Sequence, residues 1–372
     1  MKLKYLCLQA TQEGQASYTH VHEIINGLQK RGWDVELFEP SYSKKNFAPT
    51  ILQRLFEFIF TQLKLLIKIK KGDLIYIRSH FAAFPTSIVA KLRKIPVIQE
   101  VNGPYEDLFI AWPWTRHFKG FFKWLIKVQY KISDAIIVVT PQLKEWIMSE
   151  IGGSKSTNIY VISNGANTNL FTPNAESKYK LEKPYVVFFG ALAPWQGIDT
   201  MLEAVQDSNW PENVKLVIMG DGVERPKVEK AVQENNRIIY LGKIPYKEVP
   251  GVVSNSIAGL SPKNNIGGRS NTGLSPLKVY EILACGVPAI VTDFPGQADI
   301  IREHQCGIVV SLDSPEEIAR AVRYLYEDEN KRKEMGRRGR EVILKEHSWD
   351  RKAEYTEKVL REILKKRVKY EK

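Results

Sequence analysis

The chain has 372 residues, 44% of them hydrophobic and 26% charged, with a formal net charge of +12. That length exceeds one ordinary core and predicts two domains, and the composition excludes fibrous and disordered classes. The excess of positive charge implies an anionic partner, whether nucleic acid, membrane surface or phosphorylated substrate.

The first residues are basic, but their apolar run is short and meets Gln9, Thr11 and Gln12. It reads as a first strand and not as a signal peptide. No apolar stretch approaches the roughly twenty residues of a membrane span. Cys7, Cys285 and Cys306 make neither a metal spacing nor a disulfide framework, which fits a reducing cytoplasm.

Short apolar runs alternate with helical patterns along the whole chain, the signature of parallel α/β layers. The first half predicts strands at 3–8, 34–38, 74–77, 97–100, 135–139 and 159–162. The second half predicts strands at 185–189, 214–219, 238–241, 258–260, 289–291 and 307–310. The polar, aperiodic stretch 173–183 reads as an interdomain linker. Ligands of such sheets bind at the carboxyl ends of the strands. Arg78, Ser79 and His80 stand at one such end, which makes His80 a binding-site candidate.

Two helices of the first half carry narrow polar stripes. Arg54, Glu57, Thr61, Lys64, Lys68 and Lys71 form one, and Lys119, Lys123, Lys127 and Lys131 the other. For the first, the apolar face is expected to pack on the sheet, as every layer of this fold requires. The second is crowded by Phe118, Phe121, Phe122 and Trp124, which suits an in-plane helix on an anionic membrane, and peripheral association through 116–131 is expected.

In the second half, 271–293 is the most informative stretch. Ser275 and Pro276 suit a helix start, and Gly286 and Pro288 suit its end. Lys278 lies in the first turn, where the dipole disfavours a cation but a bound phosphate would welcome one. Glu281 shares its face and could accept ribose hydroxyls. An ordinary helix with two exposed charges is the competing reading.

No Gly-x-Gly-x-x-Gly and no Walker motif occurs. No Asp-x-Asp run precedes a strand end to hold a divalent metal on a diphosphate. No nucleic-acid motif is present, so no nucleic-acid partner is expected.

The run Ser275-Pro-Leu-Lys-Val-Tyr-Glu281, followed by Ala284-Cys-Gly-Val-Pro-Ala-Ile290, resembles the donor-binding helix of glycosyltransferase family 4. That is a large retaining family of the GT-B fold, in which two Rossmann-like doubly wound domains face each other across a cleft. The resemblance implies an acceptor-side domain over 1–175 and a donor-binding domain over 176–350. It also implies a last helix, 351–372, packing back on the first domain. It assigns Lys278 and Glu281 to catalysis, with Glu281 on the nucleotide ribose. A second family Glu, facing the sugar, is replaced here by Gly273. Gly273, Leu274, Ser275, Pro276 and Leu277 line the donor, and Arg269 stands in the loop before them.

Further matches follow strand ends. Gly190 and Gln196 match a segment where relatives carry Arg and Lys on the diphosphate; this chain has Ala191 and Gln196, so two cations are missing. Gly220 matches a glycine turn, and 241–245, with Ile244, matches the segment whose backbone reads the base. In the first domain Gly14 matches the glycine-rich loop, and His20 and Asn102 match acceptor-side positions. Asn102 stands where relatives often have His, so no acid or base titrates there.

The resemblance thus implies a retaining, metal-independent glycosyltransferase without cofactor. It would move a sugar from a nucleotide diphosphate sugar to a glycan or lipid-linked acceptor in cell-surface glycan or glycolipid synthesis. Alternatives are a nucleotide-sugar epimerase of similar fold, which needs titratable groups near the sugar, or a non-catalytic nucleic-acid or glycan binder.

Overall fold

The computed structural model describes residues 1–44, 49–153, 158–265 and 271–370. The chain divides into two units, Met1–Ser163 with Lys352–Lys372, and Asn164–Arg351.

The first unit is built on β1 (Lys2–Cys7), β2 (Asp34–Phe38), β3 (Leu74–Arg78), β4 (Val97–Val101), β5 (Ala135–Val138) and β6 (Asn158–Val161). They form one sheet in the order β2-β1-β3-β4-β5-β6, all parallel. Its helices are α1 (Ala16–Lys30), α2 (Ile51–Lys68), α3 (Phe84–Leu92), α4 (Asp107–Ala111), α5 (Lys119–Ile132) and α6 (Pro141–Glu150). All four residues of β5 and all five of β4 are buried. That is why β5 reads as a continuous apolar run and why even Gln99 and Glu100 of β4 are buried: a parallel sheet with helices on both faces has no wet side.

The second unit repeats the plan with β7 (Tyr185–Phe189), β8 (Lys215–Met219), β9 (Ile238–Tyr240), β10 (Ala258–Ser261), β11 (Ala289–Thr292) and β12 (Gly307–Val310). The order is β12-β11-β10-β7-β8-β9. Its helices are α7 (Ile198–Ala204), α8 (Arg225–Glu234), α9 (Val249–Ser254), α10 (Leu277–Ala284), α11 (Gln297–His304), α12 (Pro315–Glu327) and α13 (Glu329–Val342). The twelve expected strands are the twelve observed, with ends differing by a residue or two.

The last helix, α14 (Trp349–Tyr370), begins in the second unit and from Lys352 belongs to the first. Glu357 accepts from the Trp33 indole at 3.2 Å, and Lys352 donates to Ser163 Oγ at 2.9 Å.

By contacts the second unit begins at Asn164, so the stretch 173–183 lies within it. Ser254 Oγ donates to the Ala175 carbonyl and Tyr179 OH to Glu248, each at 2.9 Å. The stretch is polar because it is anchored by side-chain hydrogen bonds on α9 and its approach, not because it is free.

The α2 helix meets the expectation only in part. Its buried residues are Phe58, Thr61, Gln62 and Leu65. Phe58 and Leu65 pack in one core cluster with Leu6 of β1 and Ile75 and Ile77 of β3, and Leu66 lies partly buried against it. The remaining large apolar side chains are exposed, Leu52 at 68% and Ile67 at 82%, so a second apolar row points outward. In α5 Leu125, Ile126, Gln129 and Tyr130 are buried, while Phe121 and Trp124 are exposed. Lys123 and Lys127 both pair with Glu150, at 3.2 and 3.0 Å.

Candidate functional site

In the second unit the strand order reverses between β10 and β7, and the crevice beyond such a switch point is where doubly wound sheets bind ligands. The chain segments leaving these strands are drawn together backbone to backbone. Gly220, at φ +139°, follows β8; a Cβ there would lie 1.8 Å from the Gly190 carbonyl oxygen at the end of β7. Gly197, at φ +67°, would collide with the Pro262 carbonyl after β10 at 1.7 Å. Only glycine permits either approach.

Three polar side chains converge in this place. Gln196 Oε1 accepts from Lys278 Nζ at 3.0 Å and from Lys263 Nζ at 2.5 Å, and all three residues are buried. Lys278 Nζ also lies 3.7 Å from the centroid of the Phe188 ring, a cation–π contact. Burial and then the neighbouring Lys263 charge push the Lys278 amine well below its usual value, against a smaller upward pull from Glu281. Two buried ammonium groups sharing one neutral oxygen form a strong positive focus, and an oxyanion placed there would relieve the repulsion.

Glu281 is buried one turn further along α10. Its carboxylate accepts from Tyr246 OH. Tyr246 follows the 241–245 segment, whose Gly242 carbonyl accepts from Gly220 N at 2.8 Å and whose Ile244 packs on the core beneath α10. Glu281 is thus tied to the segment expected to read the base.

The α10 start differs from expectation. The helix begins at Leu277 with Pro276 as its N-cap, and no side chain caps it. Ser275 Oγ instead accepts from Asn164 N at 3.0 Å and lies 2.9 Å from Tyr280 OH. The serine fastens the start of the second unit to α10. Gly273, at φ +70°, turns the approach, and Leu274 N donates to the Pro295 carbonyl at 2.8 Å. Arg269 lies outside the described residues.

The acceptor-side candidates are in the first unit and are not all brought together. Glu100, at the end of β4, is 2% exposed. It takes His20 Nε2 at 2.9 Å, Arg78 at 2.6 Å, Asn102 Nδ2 at 2.6 Å and Tyr5 OH at 3.1 Å. Burial alone would raise this carboxyl; His20, Arg78 and Asn102 outweigh it and hold it well below the usual carboxylate range. His80 is outside this cluster. It stacks on Phe81, accepts from Ala82 N at 3.2 Å, and burial lowers its pKa to about 4. Gly14, at φ +85°, turns the exposed loop after β1.

Sequence reasoning missed Glu100 and Lys263. Each had a signal: Glu100 is an acid inside the apolar run of β4, and Lys263 is a cation just past the end of β10, where ligands bind.

A doubled, parallel α/β plan with a switch-point cluster of cations is that of the GT-B glycosyltransferases. The fold matches sucrose-phosphate synthase from Thermosynechococcus elongatus with a TM-score of 0.79, at 18% identity, over 98% of this chain and 99% of that one. The family model described as Glycosyltransferase Family 4 matches residues 18–170, and that described as Glycosyl transferases group 1 matches 172–342. The chain belongs to glycosyltransferase family 4 and is a transferase. An uncharacterized glycosyltransferase of Methanocaldococcus jannaschii is 27% identical over 293 residues, 77% of this chain and 75% of the relative. A GDP-mannose-dependent alpha-(1-6)-phosphatidylinositol monomannoside mannosyltransferase of Mycobacterium tuberculosis is 24% identical over 59% of each chain.

Where relatives often place a Lys, this chain has Gln196, and Lys263 reaches the same point from β10. Lys263→Ala is expected to weaken nucleoside diphosphate binding at least tenfold, since a charged hydrogen bond contributes roughly 1.5–3 kcal/mol. Titration calorimetry checks it; unchanged affinity would remove Lys263 from the site.

Proposed function

We propose that this chain is a retaining, metal-independent glycosyltransferase that uses a nucleotide diphosphate sugar. It would glycosylate a glycan or lipid-linked acceptor in cell-surface glycan or glycolipid synthesis. The observation that carries this is the convergence of Lys278 and Lys263 on Gln196, with Glu281 one turn along. The two ammonium groups suit a diphosphate. The carboxylate suits ribose hydroxyls, and the backbone of 241–245, with Ile244, suits the base. The mycobacterial relative's dependence on GDP-mannose and its phosphatidylinositol monomannoside acceptor support this donor and acceptor class.

In the proposed reaction the bond from the sugar anomeric carbon to the diphosphate oxygen breaks, and its electron pair stays on that oxygen. The acceptor hydroxyl oxygen bonds to the same carbon from the same face, and its proton passes to the departing diphosphate. No side chain need titrate. Lys278 and Lys263 stabilise the charge that develops on the leaving oxygen, where preorganised charge lowers a barrier most. Gly190, Gly220 and residues 273–277 would let the donor approach backbone, and Gly14 is assigned to the donor by the resemblance alone. His20 and Asn102, held by Glu100, and His80 belong in this reading to the acceptor side.

A cytoplasmic enzyme peripheral to an anionic membrane is part of the same proposal. The exposed Phe118, Phe121 and Trp124 of 116–131 support it. Among the described residues no helix is long and apolar enough to cross a membrane.

A thermal-shift screen of nucleoside diphosphates and their sugars tests the donor. A true ligand at about 100 times its Kd adds about 2.7 kcal/mol of stability, or several degrees. No shift with any of them would defeat the reading. Turnover with the donor so found is expected to be unchanged by EDTA, because lysines take the place of a metal on the diphosphate. Loss with EDTA and rescue by magnesium or manganese would reverse that part.

A further inference from the structure

The α2 helix is apolar on two sides, with Phe58 and Leu65 in the core and a second row in solvent. Leu52, Phe56, Ile59, Phe60, Leu63 and Ile67 recur at three- and four-residue steps, and each is about half exposed or more. The same helix buries Thr61 and Gln62. The burial of Gln62 is satisfied. Gln62 Oε1 accepts from Thr86 Oγ1 at 2.8 Å and from Thr86 N at 3.3 Å, joining α2 to α3. On α3 the next residue, Ser87, donates to Gln129 Oε1 of α5 at 3.1 Å. A buried chain of amides and hydroxyls therefore ties α2, α3 and α5 together beneath the surface beside Phe58 and Leu65, and the outer apolar row of α2 takes no part in that packing. A row of this kind exceeds the scattered exposed leucines of a soluble surface and marks an interaction site.

Charge frames the row. Between Ile51 and Lys94 the sequence holds nine Lys or Arg against two acids, Glu57 and Asp73. Both acids are engaged locally: Glu57 accepts from Ser41 N at 2.8 Å and the buried Asp73 from Lys70 N at 2.9 Å. Exposed Lys64 and Lys68 run one position on from Leu63 and Ile67, along one edge of the apolar stripe. On α3, Arg93 donates to the Leu66 carbonyl at 3.0 Å, and Lys91, Leu92 and Lys94 beside it are exposed. The layer continues to α5, where Trp124 lies 5.2 Å from Phe84 at the start of α3.

We propose that the α2 face, with the adjoining ends of α3 and α5, is a docking surface for an anionic lipid bilayer, and that α2 lies in the plane of the leaflet with its apolar row among the acyl chains. The chemistry selects this occupant. An in-plane helix needs an apolar face bordered by cations whose stems can reach back to the headgroups. At 18 residues, α2 is about 27 Å long, and it carries Arg54, Glu57, Lys64 and Lys68, so it suits lying on a bilayer and not crossing one. A second copy of this chain would bring the same cationic borders together and be repelled. The proposal goes beyond the membrane association read from 116–131, since it moves the insertion to α2. It stands apart from the donor site.

The test uses the full chain and sedimentation with vesicles of phosphatidylcholine alone, or with about one third phosphatidylglycerol. Wild type is expected to sediment with the anionic vesicles, and increasing salt should weaken the binding without abolishing it. The variant Phe56→Ser, Ile59→Ser, Phe60→Ser should bind them at least tenfold more weakly. Its melting temperature should hold, because these side chains are already exposed. Lys64→Glu with Lys71→Glu should weaken binding and reduce its salt dependence. Each variant should keep the thermal shift given by the nucleoside diphosphate, so failure here leaves the donor reading intact. The proposal is overturned if wild type ignores anionic vesicles at low salt, or if the triple variant binds like wild type. It is also overturned if light scattering shows a wild-type dimer that the triple variant converts to a monomer, which would make a second copy the occupant.

Discussion

Replacing Lys278 by alanine is expected to lower turnover by a factor on the order of 100 or more, the usual consequence of removing preorganised charge from a leaving oxygen. The folded protein should not suffer. Lys278 is buried beside Lys263, both on Gln196, so its removal relieves a like-charge repulsion. The melting temperature without ligand should be unchanged or higher. A purely structural lysine would show the reverse pattern, a lower melting temperature with turnover retained in the folded fraction.

The same residue sets a pH dependence. Its folded pKa is depressed, first by burial and then by Lys263. As pH rises through that depressed value the free protein loses the Lys278 proton, whereas a bound diphosphate favours the ammonium form. Diphosphate binding should therefore take up a proton above that value and weaken as pH rises. Without ligand, the folded state holds fewer protons than the unfolded one between the depressed and the ordinary lysine values, so the cost of burying Lys278 fades as pH rises. Calorimetry in buffers of different ionisation enthalpy measures the uptake. Lys263→Ala should move its onset to higher pH. Binding that strengthens with pH would contradict the arrangement.

Glu100→Gln is expected to give the largest loss of stability in the first unit, about 3–5 kcal/mol, as when one partner of a buried charged cluster is removed. Arg78 and His20 would remain buried without the carboxylate that both contact. For a chain of this length the melting temperature should fall by roughly 4–6 °C. The acid profile carries the sign. The folded Glu100 pKa lies below the ordinary carboxylate value, so its contribution is fully present above the unfolded pKa. It is lost as pH falls through the depressed folded value. Wild type should lose stability across that window and the glutamine variant should lose less. Denaturant melts at several pH values measure both, and parallel profiles would show that Glu100 is not the anchor.

The α/β class and all twelve strands were legible in the chain because a parallel sheet covered on both faces needs unbroken apolar runs, and those runs are local. The α10 helix and the shared face of Lys278 and Glu281 were legible for a related reason: a cation in a helix first turn, followed by a carboxylate three residues on, is a local pattern. What could not be read were features set by residues far apart. Lys263 reaches Gln196 across 67 positions, because the switch point sets β10 beside β7. Glu100 gathers His20 and Arg78 only once β1, β3 and β4 lie side by side. Ser275 looked like a helix cap until Asn164 proved to be its donor. The packing of α2 was read only in part, since Phe58 and Leu65 meet the core but a second apolar row does not, and the reason is general. An amphipathic pattern shows that a helix has an apolar side, but only packing decides whether that side meets the protein's own sheet. In this chain Thr61 and Gln62 took the inner position, because Thr86 offered the amide of Gln62 a buried partner.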